Sequence, residues 1–315
     1  MFIKSFTKLS GKDRAIAGGK GASLGELTQH EIPVPPGFVA LSSAFDTFIE
    51  ENELGPKIEA ILSGIDRKAT ESSEYASNEI QELILNANIP KRIENEIRIG
   101  FKKLNSVYVA VRSSATAEDS SSTAWAGQLD TFLNTVEKNL LKNVQKCWAS
   151  LFSPRAIFYR FENGLQNQKV SVAVVIQKMI ASEKSGVAFS VHPITQDKNE
   201  LVIEAGIGLG EAIVSGSITP DNYVVSKIPV KILQKTLNIQ TKALIRSGKD
   251  GNEWVTLTNG SEEKSVLNDD QILELAALIT KIENHYQSPQ DVEWAFEKGK
   301  FYITQSRPIT TLEGF

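Results

Sequence analysis

The chain lacks the features that mark secreted and membrane-spanning proteins. Its single cysteine, Cys147, excludes an internal disulfide and a cluster of thiolate metal ligands, and its apolar surroundings favour a buried structural thiol. The N-terminus has no apolar segment typical of signal peptides, and the longest apolar run, residues 172–176, is too short to cross a bilayer. These absences predict a cytosolic protein that does not span a membrane.

Positive charge is not concentrated anywhere along the chain. The 34 Lys and Arg residues stand against 38 Asp and Glu, which gives a net charge of −4. Interspersed signs without a dense basic run argue against a nucleic-acid-binding surface. Any anionic ligand must therefore be met by individual cationic side chains. The 315 residues, 41% of them hydrophobic, are enough for one large or two medium globular units.

The first candidate site is a glycine-rich stretch at residues 18–27, GGKGASLGEL. Glycines allow a close approach of the backbone to an anion, and the helical pattern that follows would present free N–H groups, with Lys20 adding a charge. The Walker A sequence is absent, so an ordinary glycine turn remains an alternative. A second glycine stretch, residues 206–211, has the spacing G-x-G-x-G and not that of a dinucleotide-binding fingerprint.

Two central strands end in candidate binding residues. Residues 107–112 alternate as a strand that ends in Arg112, and the small hydroxyl residues after it could bind phosphate with the guanidinium. The polar loop at 120–128 suits a mobile lid, or a plain surface loop. Residues 172–176 predict a strand buried on both faces, which leads into Gln177. The end of that strand could bind an adenine edge or could simply belong to the core.

The last motif, DVEWAF at 291–296 followed by YITQSRP at 302–308, predicts a hairpin. With a three-residue loop at 297–299, Glu293, Gln305 and Arg307 share one face, while Trp294, Tyr302 and Thr304 lie in the core with Val292 and Phe296. Carboxylate and amide oxygens suit Mg²⁺, and a guanidinium suits phosphate. A two-residue loop would separate Glu293 from the other two, and an amphipathic hairpin with a solvated polar face is the alternative.

Together these motifs resemble the nucleotide-binding half of phosphoenolpyruvate synthase (pyruvate, water dikinase) and pyruvate phosphate dikinase, which rifampicin phosphotransferase shares. The resemblance covers essentially the whole chain. The segments that carry it are GGKGASLGEL, VPPGF, VRSSATAED, AGQLDTFLN, CWASLF, SGVAFS, GLGEAIVSGSITPD, DVEWAF and YITQSRPITT.

The resemblance implies an α+β, ATP-grasp fold whose two subdomains hold ATP between their sheets. The expected subdomains are residues 1–180, with a helical insertion at about 44–105, and residues 181–315. The site residues that it implies fall into four sets. The sets are Lys20, Arg112 and Arg307 on the phosphates, which also makes them the catalytic residues; Gly127 and Thr131 in the lid; Gln177 and the backbone through Met179 at the adenine; and Glu293 and Gln305 on Mg²⁺, with Glu204 facing the nucleotide.

Members of this family pass the phosphoryl group from ATP to a histidine on a separate swivelling domain. The histidines of this chain, His30, His192 and His285, are not in the sequence context of that carrier, and the sequence ends just after the hairpin. The resemblance therefore implies a phosphoryl-donating module whose acceptor histidine is supplied in cis by a longer protein or in trans. Alternatives are the ATP-binding part of an antibiotic kinase like rifampicin phosphotransferase, and a nucleotide sensor without catalysis.

Overall fold

A computed structural model describes residues 1–65, 70–116, 129–163, 170–248, 251–258 and 264–310. The loop predicted at 120–128, which includes Gly127, lies outside these residues. The strands are β1 Ile3–Ser5, β2 Gly37–Ala40, β3 Val109–Ala115, β4 Thr131–Thr135, β5 Val172–Lys178, β6 Lys184–Phe189, β7 Glu200–Ile207, β8 Asp221–Lys227, β9 Val230–Thr236, β10 Lys242–Arg246, β11 Asn252–Thr256, β12 Gln290–Glu297 and β13 Lys300–Pro308. The α-helices are α1 Arg14–Gln29, α2 Ser42–Glu51, α3 Leu54–Ser63, α4 Thr70–Asn86, α5 Lys91–Leu104, α6 Glu137–Ala149, α7 Pro154–Glu162, α8 Glu211–Val214 and α9 Asp269–Tyr286.

The strands form two large sheets and one small hairpin. One sheet has the order β1-β2-β5-β3-β4, the other has the order β13-β12-β6-β7-β8-β9, and β10 pairs with β11. Each hydrogen-bonded strand pair in these sheets is antiparallel. Helices and antiparallel strands together confirm the predicted α+β class. The glycine stretch at 206–211 leaves β7 for the antiparallel strand β8, which agrees with the rejection of a dinucleotide fingerprint.

The chain divides into two compact units. The first consists of Met1–Glu26 and Pro36–Met179, and the second consists of Leu27–Pro35 and Ile180–Phe315. The first unit contains the five-stranded sheet and the helices α2 to α7, and the second contains the six-stranded sheet and α9. Across the described residues, no helix combines the length and apolarity that crossing a bilayer requires.

In the first unit, amphipathic helices cover one face of the sheet. In α5, Ile93, Ile97 and Phe101 recur at four-residue steps and are buried, while Lys102 and Lys103 are exposed. The buried side chains join a core that includes residues of β2, β3, β5 and α6. Residues 172–176 of β5 are fully buried between β2 and β3, as predicted for a central strand.

Cys147 lies on α6 within this core. Burial raises the pKa of its thiol to about 12, and the charge of Asp130 acts in the same direction. The thiol donates to the carbonyl oxygen of Val111 at 3.7 Å. A thiol held protonated in an apolar core is structural, which confirms the prediction.

In the second unit, α9 covers one face of the six-stranded sheet. The side chain of Asn268 accepts from the N–H of Gln271 at 2.9 Å, and the Gln271 side chain accepts in return from the N–H of Asn268 at 3.2 Å. This capping box fixes the start of the helix. Ile272, Leu275 and Ile279 of α9 then pack in a core with the sheet residues Trp294 and Ile303.

The turn of the terminal hairpin differs from the prediction. Glu297 pairs with Lys300, so the turn contains two residues, Lys298 and Gly299, with φ angles of 51° and 78°. Left-handed conformations at both central positions define the two-residue turn that matches the twist of a hairpin. The predicted three-residue loop is therefore wrong.

A β-bulge at Thr304 keeps Glu293 and Gln305 on the same face of the sheet despite the shorter turn. Glu293 pairs with Gln305 and Trp294 pairs with Ile303, which leaves Thr304 as an extra residue on β13. Glu293 and Gln305 therefore share a face, as predicted, but for a different reason. The parity of the other half of β13 changes: the core contains Phe301 and Ile303, whereas the predicted core residues Tyr302 and Thr304 are only partly buried.

Candidate functional site

Predicted site residues of the second unit form one row across its sheet. Glu204 on β7 pairs with Val187 on β6, Val187 pairs with Glu293 on β12, and Glu293 pairs with Gln305 on β13. Directly opposed residues in a sheet place their side chains on the same face. This is the face opposite to the one that α9 covers, because the neighbouring residue Trp294 lies in the core. Glu293 and Gln305 are thus neighbours on adjacent strands, and Glu204 lies in the same row beyond Val187.

The next row of the same face contains Arg307 and a residue that the sequence analysis did not select, Asp291. Arg307 pairs with Asp291, its Nε donates to Asp291 Oδ2 at 2.8 Å, and its Nη2 forms an ion pair with the same oxygen at 2.6 Å. Asp291 therefore orients the guanidinium. The signal was present in the sequence, because Asp291 precedes Glu293 by two residues on a strand and so must share its face. We call Glu204, Asp291, Glu293, Gln305 and Arg307 together the carboxylate face.

Burial and a neighbouring negative charge raise the pKa of two acids of the carboxylate face, Asp291 and Glu204. Burial raises the pKa of Asp291, Arg307 lowers it, and the charge of Glu293 raises it, with a net increase. Burial and the charge of Asp291 raise the pKa of Glu204. Partly buried carboxylates close to one another favour either a proton or a bound cation. Oxygen donors from carboxylate and amide groups are the ligands that Mg²⁺ prefers, so these residues fit that ion.

In the first unit, a second polar sheet face surrounds Arg112. Arg112 on β3 pairs with Thr131 on β4, and Gln177 on β5 pairs with Ala110, which precedes Arg112 by two residues. Arg112, Thr131 and Gln177 therefore share a face. Arg112 and Gln177 are buried, and Thr131 is exposed. We call these three residues and Ser114 the arginine face.

The glycine-rich stretch packs against the arginine face through Ser114. Gly18 interrupts α1 with a φ of 68°, and a Cβ at Gly18 would lie 2.2 Å from Ser114 Oγ. The N–H of Gly21 donates to that hydroxyl at 3.3 Å. Only glycine permits both the left-handed backbone and this close approach. Lys20, between the two contacts, is thus held near the strand that carries Arg112.

The residues predicted to bind adenine lie at the end of β5. Gln177 is the last buried residue of that strand, and the N–H of Met179 donates to the carbonyl oxygen of Tyr108 at 3.1 Å. This bond fixes the backbone after β5 against the segment that leads into β3.

A cavity of the first unit is lined by other residues. Its volume is about 1280 Å³, and its lining includes Phe45 of α2, Ile58 of α3 and Arg160 of α7. Arg112, Gln177 and Lys20 are not among the described residues that line it.

The chain belongs to a family of nucleotide-binding domains. Residues 14–314 match the family described as pyruvate phosphate dikinase, AMP/ATP-binding domain. The family resemblance predicted from the motifs is therefore confirmed, and the chain is an ATP-binding domain of the phosphoenolpyruvate synthase and pyruvate phosphate dikinase type.

Curated relatives cover nearly the whole chain. The probable phosphoenolpyruvate synthase of Methanocaldococcus jannaschii is 48% identical, over 99% of this chain and 27% of the relative. The phosphoenolpyruvate synthase of Pyrococcus furiosus is 40% identical, over 99% of this chain and 44% of the relative. The rifampicin phosphotransferase of Bacillus cereus is 37% identical, over 99% of this chain and 36% of the relative. The chain thus spans less than half the length of these relatives.

Proposed function

We propose that the chain binds ATP with Mg²⁺ and donates a phosphoryl group to a histidine of a separate swivelling domain, as the nucleotide-binding module of a phosphoenolpyruvate synthase-like phosphotransferase. The observation that carries the proposal is the carboxylate face, on which Asp291 holds Arg307 beside oxygen ligands suited to Mg²⁺. We further propose that the two units are the subdomains of an ATP-grasp fold.

The residues have separate tasks in this proposal. Lys20, Arg112 and Arg307 bind the phosphates, Gln177 and the backbone at Met179 bind the adenine, and Thr131 with Gly127 belongs to the lid. Glu293 and Gln305 are the Mg²⁺ ligands, and Glu204 faces the nucleotide. When bound, Mg²⁺ supplies positive charge that neutralises the triphosphate.

Catalysis then depends on positioning and electrostatics. The cationic side chains hold the triphosphate so that the transferred phosphorus lies in line with the attacking histidine nitrogen. The new phosphorus–nitrogen bond forms while the bond from phosphorus to the leaving oxygen breaks, and the guanidinium groups stabilise the charge on that oxygen. No general base is required, because a neutral imidazole nitrogen carries the attacking electron pair.

The surroundings of the three histidines support an acceptor elsewhere. His192 Nδ1 accepts from the N–H groups of Ile194 and Thr195, at 3.2 and 3.3 Å. The rings of His30 and His285 contact each other, with centroids 3.8 Å apart. None of the three lies on the carboxylate face or the arginine face. The greater length of the relatives is consistent with a carrier on another domain.

Calorimetry and labelled ATP test the proposal. The chain should bind MgATP, and EDTA should weaken the binding. Labelled ATP should leave an acid-labile, base-stable label on an added histidine carrier domain and not on the chain. Absence of binding at millimolar MgATP would refute the nucleotide site. Stoichiometric label on the chain that disappears when one of its own histidines is replaced would refute the separate acceptor.

A second candidate is the ATP-binding part of an antibiotic kinase, which the 37% identity to a rifampicin phosphotransferase favours. The same module would serve both reactions, because the acceptor is chosen by other domains. Adding carrier and acceptor domains of each type to the chain distinguishes the two. A nucleotide sensor would bind ATP but would not transfer phosphoryl with either partner.

A further inference from the structure

Two of the three histidines of this chain lie together in the second unit, away from the carboxylate face. His30 directly follows α1, and His285 lies in the last turn of α9. Their ring centroids are 3.8 Å apart, and the ring planes are inclined by 41°. His30 is exposed and His285 is half-buried, so the pair is open to solvent on one side.

The distance between the two rings suits a shared metal ion. A ring nitrogen of His30 lies within 4.8 Å of a ring nitrogen of His285. Two imidazole nitrogens on one tetrahedral Zn²⁺, each about 2.0–2.1 Å from the ion, are about 3.3 Å apart. This separation is compatible with the 4.8 Å limit within which the two ring nitrogens lie, and water can complete the coordination.

The electrostatic environment also favours a cation. His30 follows the C-terminal end of a helix, and His285 lies in the last turn of another, where the helix dipole stabilises positive charge. The ring of Tyr286 packs against that of His285 in an edge-on arrangement, with centroids 4.9 Å apart. This contact restrains one imidazole, so that fewer conformations are lost when both rings bind the same ion.

We propose that His30 and His285 form a surface site for a divalent transition-metal ion such as Zn²⁺ or Ni²⁺. Imidazole nitrogens are preferred ligands of these ions, whereas Mg²⁺ prefers oxygen. The site is therefore chemically distinct from the carboxylate face and does not depend on the proposed nucleotide chemistry.

Titration of the untagged, nucleotide-free chain with zinc chloride in a calorimeter tests the site. We expect a Zn²⁺ site whose affinity falls about tenfold or more in both His30→Ala and His285→Ala, because each removes one of its ligands. Circular dichroism of each variant should match that of the unchanged chain, since one ring is exposed and the other half-buried.

One control variant tests the third histidine of the chain. His192→Ala removes it and should keep the Zn²⁺ site formed by the other two histidines. Cys147 cannot contribute, because it is fully buried. No saturable binding by the unchanged chain, unchanged affinity in His30→Ala or in His285→Ala, or loss of the site in His192→Ala would overturn the proposal.

Discussion

The two large sheets of this molecule share one design but carry opposite charge. Each packs helices on one face and leaves polar side chains on the other. The arginine face contains a buried guanidinium, an amide and hydroxyl groups, with the glycine stretch around Lys20 packed beside it. The carboxylate face contains three acids around a single arginine, Arg307. Similar scaffolds therefore carry a buried arginine on the polar face of one unit and a group of acids on the polar face of the other.

The difference lies in how each arginine is held. Arg307 is fixed by an acid on the neighbouring strand, Asp291, which also adds negative charge beside Glu293. Arg112 is a buried residue of β3, and its cross-strand neighbours are Thr131 and Val175. We expect the first unit to respond mainly to phosphate and the second to the cation and phosphate together. The following substitutions test that division, beginning with the largest expected effect.

Replacement of Trp294 should destabilise the second unit without altering the chemistry of its polar face. Trp294 is 1% exposed and packs against Phe301, with ring centroids 5.6 Å apart. Trp294→Ala should lower the free energy of unfolding by about 3–5 kcal/mol, measured by urea denaturation. Trp254→Ala, at a ring that is 46% exposed, is the matched control and should cost about 1 kcal/mol or less. Equal losses would show that Trp294 is not a core residue.

Replacement of Glu293 should impair phosphoryl transfer and leave the stability of the second unit nearly unchanged. Glu293→Gln keeps the shape of the side chain but removes a negative charge from the carboxylate face, so phosphoryl transfer to a carrier should fall by about 10²–10³-fold with little loss of stability. Glu297→Gln, at the end of the same strand, should transfer at the normal rate. A transfer rate in Glu293→Gln close to that of the control would remove Glu293 from the cation site.

Replacement of the two arginines sharpens the contrast between the faces. Arg112→Ala and Arg307→Ala should each cost about 2–4 kcal/mol in MgATP binding or transfer, through the loss of charge-assisted bonds to phosphate. Arg92→Ala, at an exposed ion pair with Glu51, should leave both unchanged. A change below tenfold in both measurements would exclude that arginine from the site.

The close approach of Gly18 to the arginine face can be separated from its backbone conformation. Gly18 and Gly216 both have a φ of 68°, but a Cβ at Gly216 would meet nothing within 4 Å, whereas one at Gly18 would overlap Ser114. Gly18→Ala should therefore destabilise the first unit by about 1–3 kcal/mol more than Gly216→Ala destabilises the second. If thermal or urea unfolding shows the same loss of stability in both variants, the close approach of Gly18 to Ser114 does not contribute to the effect.

Local patterns in the sequence were sufficient for some of these features and insufficient for others. Helical periodicity located α5 and α9, and a continuous apolar run located β5, because each depends on neighbours along the chain. The placement of Glu293 with Gln305 was correct, but the turn was one residue too long and the bulge at Thr304 was missed. A bulge depends on the partner strand, and alternation within one strand contains no information about it.

Pairing between distant strands could not be read from local patterns at all. Glu204 reaches the row of Glu293 only because β6 inserts between β7 and β12, an order fixed by the packing of the whole sheet. The pairing of Arg112 with Thr131 depends in the same way on the return of β4 to β3. The position of Asp291, in contrast, can be predicted from the sequence, because alternation along the strand alone places it on the same face as Glu293.

The smallest expected effect is that of replacing Glu204, the acid of the carboxylate face that lies on β7. Burial and the charge of Asp291 raise the pKa of Glu204, so the folded state favours its protonated form. Such a group contributes stability that is complete below its unfolded pKa and is lost as pH rises through the folded value. Without Mg²⁺, Glu204→Gln should therefore raise the free energy of unfolding at pH 7, by about 1 kcal/mol or less.

This gain in the Glu204→Gln variant should disappear near pH 4, where the original carboxyl is protonated in both folded and unfolded states. Urea unfolding between pH 4 and pH 8 measures it, with Glu200→Gln on the same strand as the control. Added MgCl₂ should stabilise the unchanged chain and reduce the difference, because a cation offsets the repulsion between the acids. A gain that persists at pH 4, or that Glu200→Gln reproduces, would show that repulsion on the carboxylate face does not affect folding.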